Sequence, residues 1–330
     1  MSAPAGSLSP AATPAPRREV VANRPVEVYA LAVLLGVLAL VASLLSPAFL
    51  SAANIRDVLT QAAPLGFAVL GQAIVIMVRG LDLSVASVMA TVAVMATAFN
   101  ASSDAMIPVI FIAAILLSGT VGLVNGLLVT KRGVSPFLAT LATMIVLQGL
   151  RFAYTQGAPA GTLPPGFRWL GTGTVLGVPV NVVALAVVAL LLGLALHRMP
   201  FGRRVAMVGG NPRGAELVGV PNDRITIAAY VVGSVMAGLA GLFLVGYVGT
   251  VDNWVGRGYE LDSIVAAIIG GVALTGGTGT VPGALLGALV LVVIFNIVVI
   301  LGLPIEVQLI IKGLVIVLAA AVHARRAGKA

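Results

Sequence analysis

Lys312 lies near the middle of a long apolar run, Ile305 to His323, and its charge demands an explanation. A lysine at that depth costs on the order of 3 kcal/mol unless it is paired or wetted. It marks a water-filled pathway or a buried ion pair, and Glu306, Glu260 and Asp262 are the candidate partners. Asp82, in Arg79-Gly80-Leu81-Asp82-Leu83-Ser84, falls at a break between two apolar runs. Its carboxylate is expected to act as N-cap of the next helix, taking up backbone N–H groups that would otherwise face oil. A gate, or a contact to a neighbouring subunit, is the functional reading of the same residue. Neutral polar residues recur inside the apolar runs: Gln61, Gln72, Asn125, Thr140, Thr143, Gln148, Asn296 and Gln308. A passing polyol needs such groups in place of its water, and they also serve as glue between helices. With 5% aromatic residues, no aromatic-rich sugar platform is expected.

Other chemistries find no footing. None of the three lysines, Lys131, Lys312 and Lys329, stands in a G-x-x-x-x-G-K-[ST] frame. The run Gly276-Gly277-Thr278-Gly279 lacks both that lysine and the G-x-G-x-x-G spacing, because Pro282 takes the third glycine's place. ATP hydrolysis by this route is excluded, and any ATP-driven work needs another subunit. There is no H-E-x-x-H pair and no G-x-S-x-G elbow, so no catalytic residue is assigned and an enzyme is not expected. With no cysteine there is no disulfide, thiolate metal site or cysteine nucleophile. His197 and His323 sit beside arginines at run ends, where they read as interface residues, and no metal site is expected.

The elements that position these residues are membrane helices. The chain is 59% hydrophobic and only 9% charged, against about 25% charged in a soluble domain. Its apolar runs are continuous and do not alternate, so the fold class is an all-α polytopic membrane protein rather than a barrel. About ten spans are expected, near 26–46, 58–78, 83–100, 106–130, 136–155, 176–197, 225–249, 261–275, 281–301 and 305–323. The 261–275 run is too short to cross alone and forms, with 281–301, a short broken helix pair. Residues 1–25, rich in Pro, Ala and Ser with Arg17, Arg18 and Arg24, read as a disordered basic tail, and 324–330 as a second tail. The membrane-spanning body is 26–323. With the N-terminus inside, most basic residues fall in inside loops and tails, and only Arg56, Arg168 and Arg257 in outside loops. Both termini are thus expected in the cytoplasm, and the net charge of +8 reads as positive-inside bias rather than nucleic-acid binding. The acids Asp57 and Asp262 are expected in outside loops, and Gln156 to Val175 forms a long outside surface feature. Small residues four apart (Gly122 and Gly126, Gly283 and Gly287, Ser234 and Gly238, Ala237 and Gly241) let helices approach closely within a bundle.

One stretch, Arg198 to Arg224, is too polar to cross a bilayer. Its five arginines place it on the cytoplasmic side, as a docking element.

Three blocks, in order, carry a resemblance. Gln72 to Ser87, with Gly80-Leu81-Asp82-Leu83-Ser84-Val85, resembles the G-G-I-D-L-S-V-G-S signature of permease subunits of bacterial ABC importers for monosaccharides. Gly209-Gly210-Asn211-Pro212, followed by Ala215, Leu217 and Gly219, looks like that family's G-x-N-x-x-A-A-x-x-x-G-I coupling segment. Gly258-Tyr259-Glu260-Leu261-Asp262-Ser263-Ile264, with Gly270-Gly271, Gly276-Gly277, Gly279 and Pro282-Gly283, is the third block. Arg79 stands where the family has its first glycine and Ala86 where it has its last, and Gly214 weakens the short coupling helix by about 1 kcal/mol relative to alanine. The resemblance implies an inner-membrane pore of two permease subunits, identical or related, with cytoplasmic ABC ATPase subunits and a periplasmic sugar-binding protein. ATP and magnesium would sit on the ATPase, and this chain would bind no cofactor. The segment Arg213 to Val220 would dock into the ATPase, with Asn211, Arg213, Ala215, Glu216, Leu217 and Gly219 as coupling residues. Asp82, Ser84, Gln72, Asn125, Gln148, Asn296 and Lys312 are the gate or pathway candidates. The alternative cargo is a nucleoside or a branched-chain amino acid. The rival class is an ion-coupled secondary transporter using Lys312 and an acid.

Overall fold

In hydrocarbon a backbone must satisfy its own hydrogen bonds, and the apolar runs accordingly become helices. The computed structural model describes residues 25–99, 102–159, 161–304, 306–315 and 317. In chain order the helices are α1 (Pro25–Leu45), α2 (Ala52–Met77), α3 (Val85–Ala98), α4 (Ile107–Lys131), α5 (Pro136–Thr155), α6 (Phe167–Thr172), α7 (Val180–His197), α8 (Pro200–Gly210), α9 (Pro212–Leu217), α10 (Asn222–Val248), α11 (Tyr259–Ile269) and α12 (Val281–Ile300). A further helical segment covers 306–315. Among the described residues, seven helices are long and apolar enough to cross a membrane: α1, α2, α4, α5, α7, α10 and α12. Residues 1–24 of the first tail, the whole second tail, His323 and the end of the tenth expected span lie outside the described residues, while Pro25 already belongs to α1.

Sequence punctuation sets the helix ends. Ser51, Ser135 and Thr280 each accept a backbone N–H from the residue three positions on, at the starts of α2, α5 and α12. Helix α2 begins earlier than its apolar run, so Arg56 and Asp57 lie on its first turns and not in a loop. Arg56 there donates to the Thr172 carbonyl at 3.0 Å. Two expected spans are short. Helix α3 has 14 residues and α11 has 11, about 21 and 16 Å at 1.5 Å per residue, less than the ~30 Å hydrocarbon core. The 83–100 run is continuous in hydropathy, but residues 78–84 are non-helical and use up its start. After α11 the chain leaves the helix at Gly270 and runs to Thr280 through three glycines with positive φ, Gly271, Gly276 and Gly277. Asp262 is a buried residue of α11, not a loop acid.

Helix α2 is the axis of the bundle, buried from Ala62 to Met77, with α10 and α12 packed beside it. Small residues make this possible. A Cβ on Gly71 would stand 2.7 Å from the Gly233 carbonyl of α10, and one on Gly126 would stand 2.8 Å from Ile227 Cα. The spaced small residues therefore serve close packing inside the chain: Gly122 and Gly126 against α10, Gly241 against Met89, Gly283 against Gly270. Helices α1, α4, α5 and α7 show much of their apolar surface outward, as a lipid-facing layer does. The 156–179 connection holds α6 and a minimal hairpin, Thr174–Val175 with Val178–Pro179. Its Phe167 is fully buried beside Phe111, while Leu176 at the hairpin turn is fully exposed.

The two ends of the bundle are tied differently. At the arginine-rich end Lys131 pairs with Asp223 at 2.6 Å across α4 and α10. At the other end Asn54 and Asn296 exchange two hydrogen bonds, 3.1 and 2.9 Å, joining α2 to α12.

Candidate functional site

The polar stretch 198–224 folds into α8 and the six-residue α9. So short a helix has no stability of its own, and both of its ends are capped. Asn211 accepts the Gly214 N–H at 3.0 Å, and Pro212 fills the first helical position. At the far end Gly219 has φ +79°. The Gly219 N–H bonds the Glu216 carbonyl, and the Val220 N–H bonds the Ala215 carbonyl, both at 2.9 Å. This is a Schellman closure with its usual apolar contact, since Ala215 and Val220 are both buried. The cost of Gly214 is thus met by a side-chain cap on its own N–H. Outward, α9 presents Arg213, Glu216, Leu217 and Val218, the last two 88% and 71% exposed.

This knob is fastened to the bundle through Arg79. Its backbone is left-handed, φ +63°, a conformation that costs a non-glycine residue about 1–2 kcal/mol. The guanidinium offsets the strain by donating to the Gly209 and Gly210 carbonyls, at 2.5 and 2.9 Å, at the negative end of α8. The Gly277 N–H bonds the Met77 carbonyl at 2.8 Å, bringing the 270–280 loop into the same knot. Gly209 lies at its centre, where any Cβ would meet the Met77 carbonyl and Gly277.

Residues 78–84 form a break, exposed at Arg79 and buried from Asp82 to Ser84, that is gripped from several sides. Gln72, with its amide turned so that donors face acceptors, gives to the Asp82 carbonyl at 3.1 Å and takes from the Asp82 N–H at 3.2 Å. The Asp82 Oδ1 accepts from the Ser84 N–H at 2.8 Å and from the Ser84 hydroxyl at 2.5 Å. Asn125 of α4 donates to Ser84 at 3.0 Å and accepts from Thr143 of α5 at 2.6 Å. Thr140 accepts the Leu83 N–H at 3.1 Å. The N-cap expectation for Asp82 is corrected in detail: Ser84 occupies the cap position, and Asp82 closes a turn onto its N–H instead. The reason is local, because the two residues between Asp82 and α3 must themselves be satisfied inside protein.

The third feature is a cavity of about 280 Å³ between α2, α10, α11, α12 and the 306–315 segment. Each helix contributes a pair three or four residues apart, the spacing of one helix face; Gln308 with Lys312 and Tyr259 with Asp262 are two of these. Lys312 Nζ meets Asp262 Oδ2 at 2.8 Å and stands 5.4 Å from the Phe295 ring centroid. Asp262 is 7% exposed, and its Oδ1 has no hydrogen-bond partner among the described residues. Gln61 and Tyr247 also line the space.

The family described as "Branched-chain amino acid transport system / permease component" matches residues 54–320. The chain belongs to this permease family. It is 35% identical over 286 residues to the ribose import permease protein RbsC of Bacillus subtilis, covering 86% of this chain and 88% of that one. It is 32% identical over 304 residues to the galactose/methyl galactoside import permease protein MglC of Haemophilus influenzae, covering 86% and 90%. It is 33% identical over 277 residues to the L-arabinose ABC transporter permease protein AraH of Azospirillum brasilense, covering 84% and 81%. No solved structure matches the chain. The chain is thus an all-α permease component of a transport system, with several helices long and apolar enough to cross a membrane.

In this permease the sequence candidates separate into groups. Gln72, Asp82, Ser84 and Asn125 join in one network at the break. Asn296 is tied to Asn54 at the opposite end. Lys312 finds Asp262 rather than Glu260 or Glu306. Gln148 is half-buried on α5, outside all three. Tyr247, Tyr259 and Phe295 converge on the cavity from three elements, a grouping that the sequence did not single out. Arg151 was also missed: it is buried and donates to the Ser87 carbonyl, Thr91 and the Asn253 carbonyl. Its place within a span was the signal.

Proposed function

We propose that this permease carries a monosaccharide across the bacterial inner membrane, powered by separate ABC ATPase subunits and fed by a periplasmic sugar-binding protein. Two permease subunits form the pore, and this chain binds no ATP, magnesium or other cofactor. The arginine-rich end and both termini face the cytoplasm. The observation that carries the reading is α9: a doubly capped helix exposing Leu217 and Val218 beside charged Arg213 and Glu216. Exposed apolar side chains on a rigid projection suit a cleft in another protein. Closure of an ATP-loaded ATPase pair would move this knob, and the Arg79 clasp ties it to the end of α2 and the neighbouring break. Rocking of packed helices between two arrangements then gives alternating access, each arrangement favoured by a different ligand state. Monosaccharide is preferred to nucleoside or branched-chain amino acid because the relatives' names specify ribose, galactose and arabinose.

Reconstitution tests this directly. Vesicles holding the permease, its ATPase and loaded binding protein should accumulate sugar only with ATP. The permease alone should accumulate none, with or without a proton or sodium gradient. Accumulation by the lone chain would establish the ion-coupled alternative.

A further inference from the structure

We propose that the cavity between α2, α10, α11, α12 and the 306–315 segment seats one neutral monosaccharide ring in transit, an assignment that rests on the importer reading above. The chemistry of the walls is that of a polyol site. Lys312 occupies Asp262 Oδ2 at 2.8 Å, while Oδ1 has no partner among the described residues although Asp262 is 93% buried by its 7% exposure. A buried carboxylate oxygen without a donor is unfavourable, and a solute hydroxyl is a donor of the right kind. The Lys312 ammonium has three N–H groups, of which Asp262 uses one, leaving donors for hydroxyl or ring oxygens. Gln61 and Gln308 add amide donors and acceptors, and Tyr247 and Tyr259 add phenol groups. Aromatic rings and the apolar side chains of Leu65 and Val292 offer a surface for the C–H face of a sugar.

Size and charge narrow the occupant. The 280 Å³ volume falls just under the ~300–1,000 Å³ of drug-sized sites, which suits a single ring and not a disaccharide. Lys312 and Asp262 neutralise each other. A free amino acid would have to break that pair to place its own two charges, whereas a sugar leaves it intact.

The natural absence of cysteine gives a clean test. The complex, purified through a tag on this chain and placed in lipid nanodiscs, carries Gln308→Cys as its single permease thiol. Modification by methyl methanethiosulfonate is timed with D-ribose, D-galactose, L-arabinose or L-leucine present. Gln61→Cys, from a different helix, gives an independent reading if the first variant does not assemble. Leu176→Cys on the exposed hairpin is the control. At least one sugar should slow modification about tenfold when present at about ten times its dissociation constant, as simple competition requires. Leucine should not slow it, and the Leu176→Cys rate should not change. Sugar-insensitive modification, protection by leucine, or thiols that never react at either cavity position would each overturn the assignment. Uptake by the unsubstituted complex is measured in parallel. Sugar uptake without protection rejects the cavity alone, whereas failure to take up any of the three sugars rejects the importer reading as well.

Discussion

Replacing Lys312 by methionine keeps most of the side-chain volume and removes the charge. At 2.8 Å the attraction to Asp262 is about 6 kcal/mol for an effective dielectric of about 20. Desolvating both charges offsets most of that, so the intact pair contributes little net stability. Breaking it is different: removing one member of a buried pair costs about 3–5 kcal/mol, because the other is left uncompensated. The side chains are 23% and 10% exposed, which places the expected loss at the lower end, about 3 kcal/mol. Asp262 is the worse partner to strand, since its Oδ1 has no acceptor–donor contact among the described residues to fall back on. The double variant Lys312→Met with Asp262→Leu should recover most of the loss, to within about 1 kcal/mol of the parent. Denaturant titration of the purified permease in detergent, followed by far-UV ellipticity, measures all four corners of the cycle. A single Lys312→Met variant as stable as the parent, with undiminished expression, would refute the reasoning and show the lysine to be solvated rather than paired.

Glu216→Lys or Gly219→Val should leave the permease in the membrane yet uncouple ATP hydrolysis from transport. Valine meets φ +79° at Gly219, and the ratio of sugar taken up to ATP hydrolysed is the readout. Arg79→Ala keeps the left-handed strain and loses both carbonyl bonds, a cost of about 1.5–3 kcal/mol for each charged hydrogen bond at most. Arg79→Gly loses the same bonds but relieves about 1–2 kcal/mol of strain, so thermal stability should rank parent, glycine, alanine. Asn125→Leu strands Ser84 and Thr143 inside the bundle and should cost about 1–3 kcal/mol, seen as a lowered midpoint in the same denaturant titration.

Much of the architecture was legible because it is written locally. The run Pro136 to Thr155 coincides with α5, since Ser135 and Pro136 mark its start and left-handed Gln156 its end. The short helix near Arg213 to Val220 was implied by the resemblance, and its ends follow local rules, with Asn211-Pro212 opening it and Gly219 closing it. What escaped was set by contacts between distant residues. Hydropathy averaged across residues 78–84 and hid the break before α3. Tyr247, Tyr259 and Phe295 are unremarkable in their own segments and become a group only when α10, α11 and α12 pack together. Arg79 is instructive in both directions. It stands where the glycine-bearing signature has its first glycine, and its backbone does take a shape that suits glycine. Its side chain nevertheless reaches Gly209 and Gly210, 130 and 131 residues away, which no local pattern records.

The closure of α9 onto Ala215 and Val220 separates shape from address. Its backbone is fixed by Asn211, Pro212 and Gly219 together with two inward side chains, none of which belongs to the outward face. Leu217, Val218, Glu216 and Arg213 are therefore free to vary without disturbing the lever that bears them. On the docking role proposed above, rewriting those four side chains alone, with every capping residue left in place, should change which partner the helix accepts.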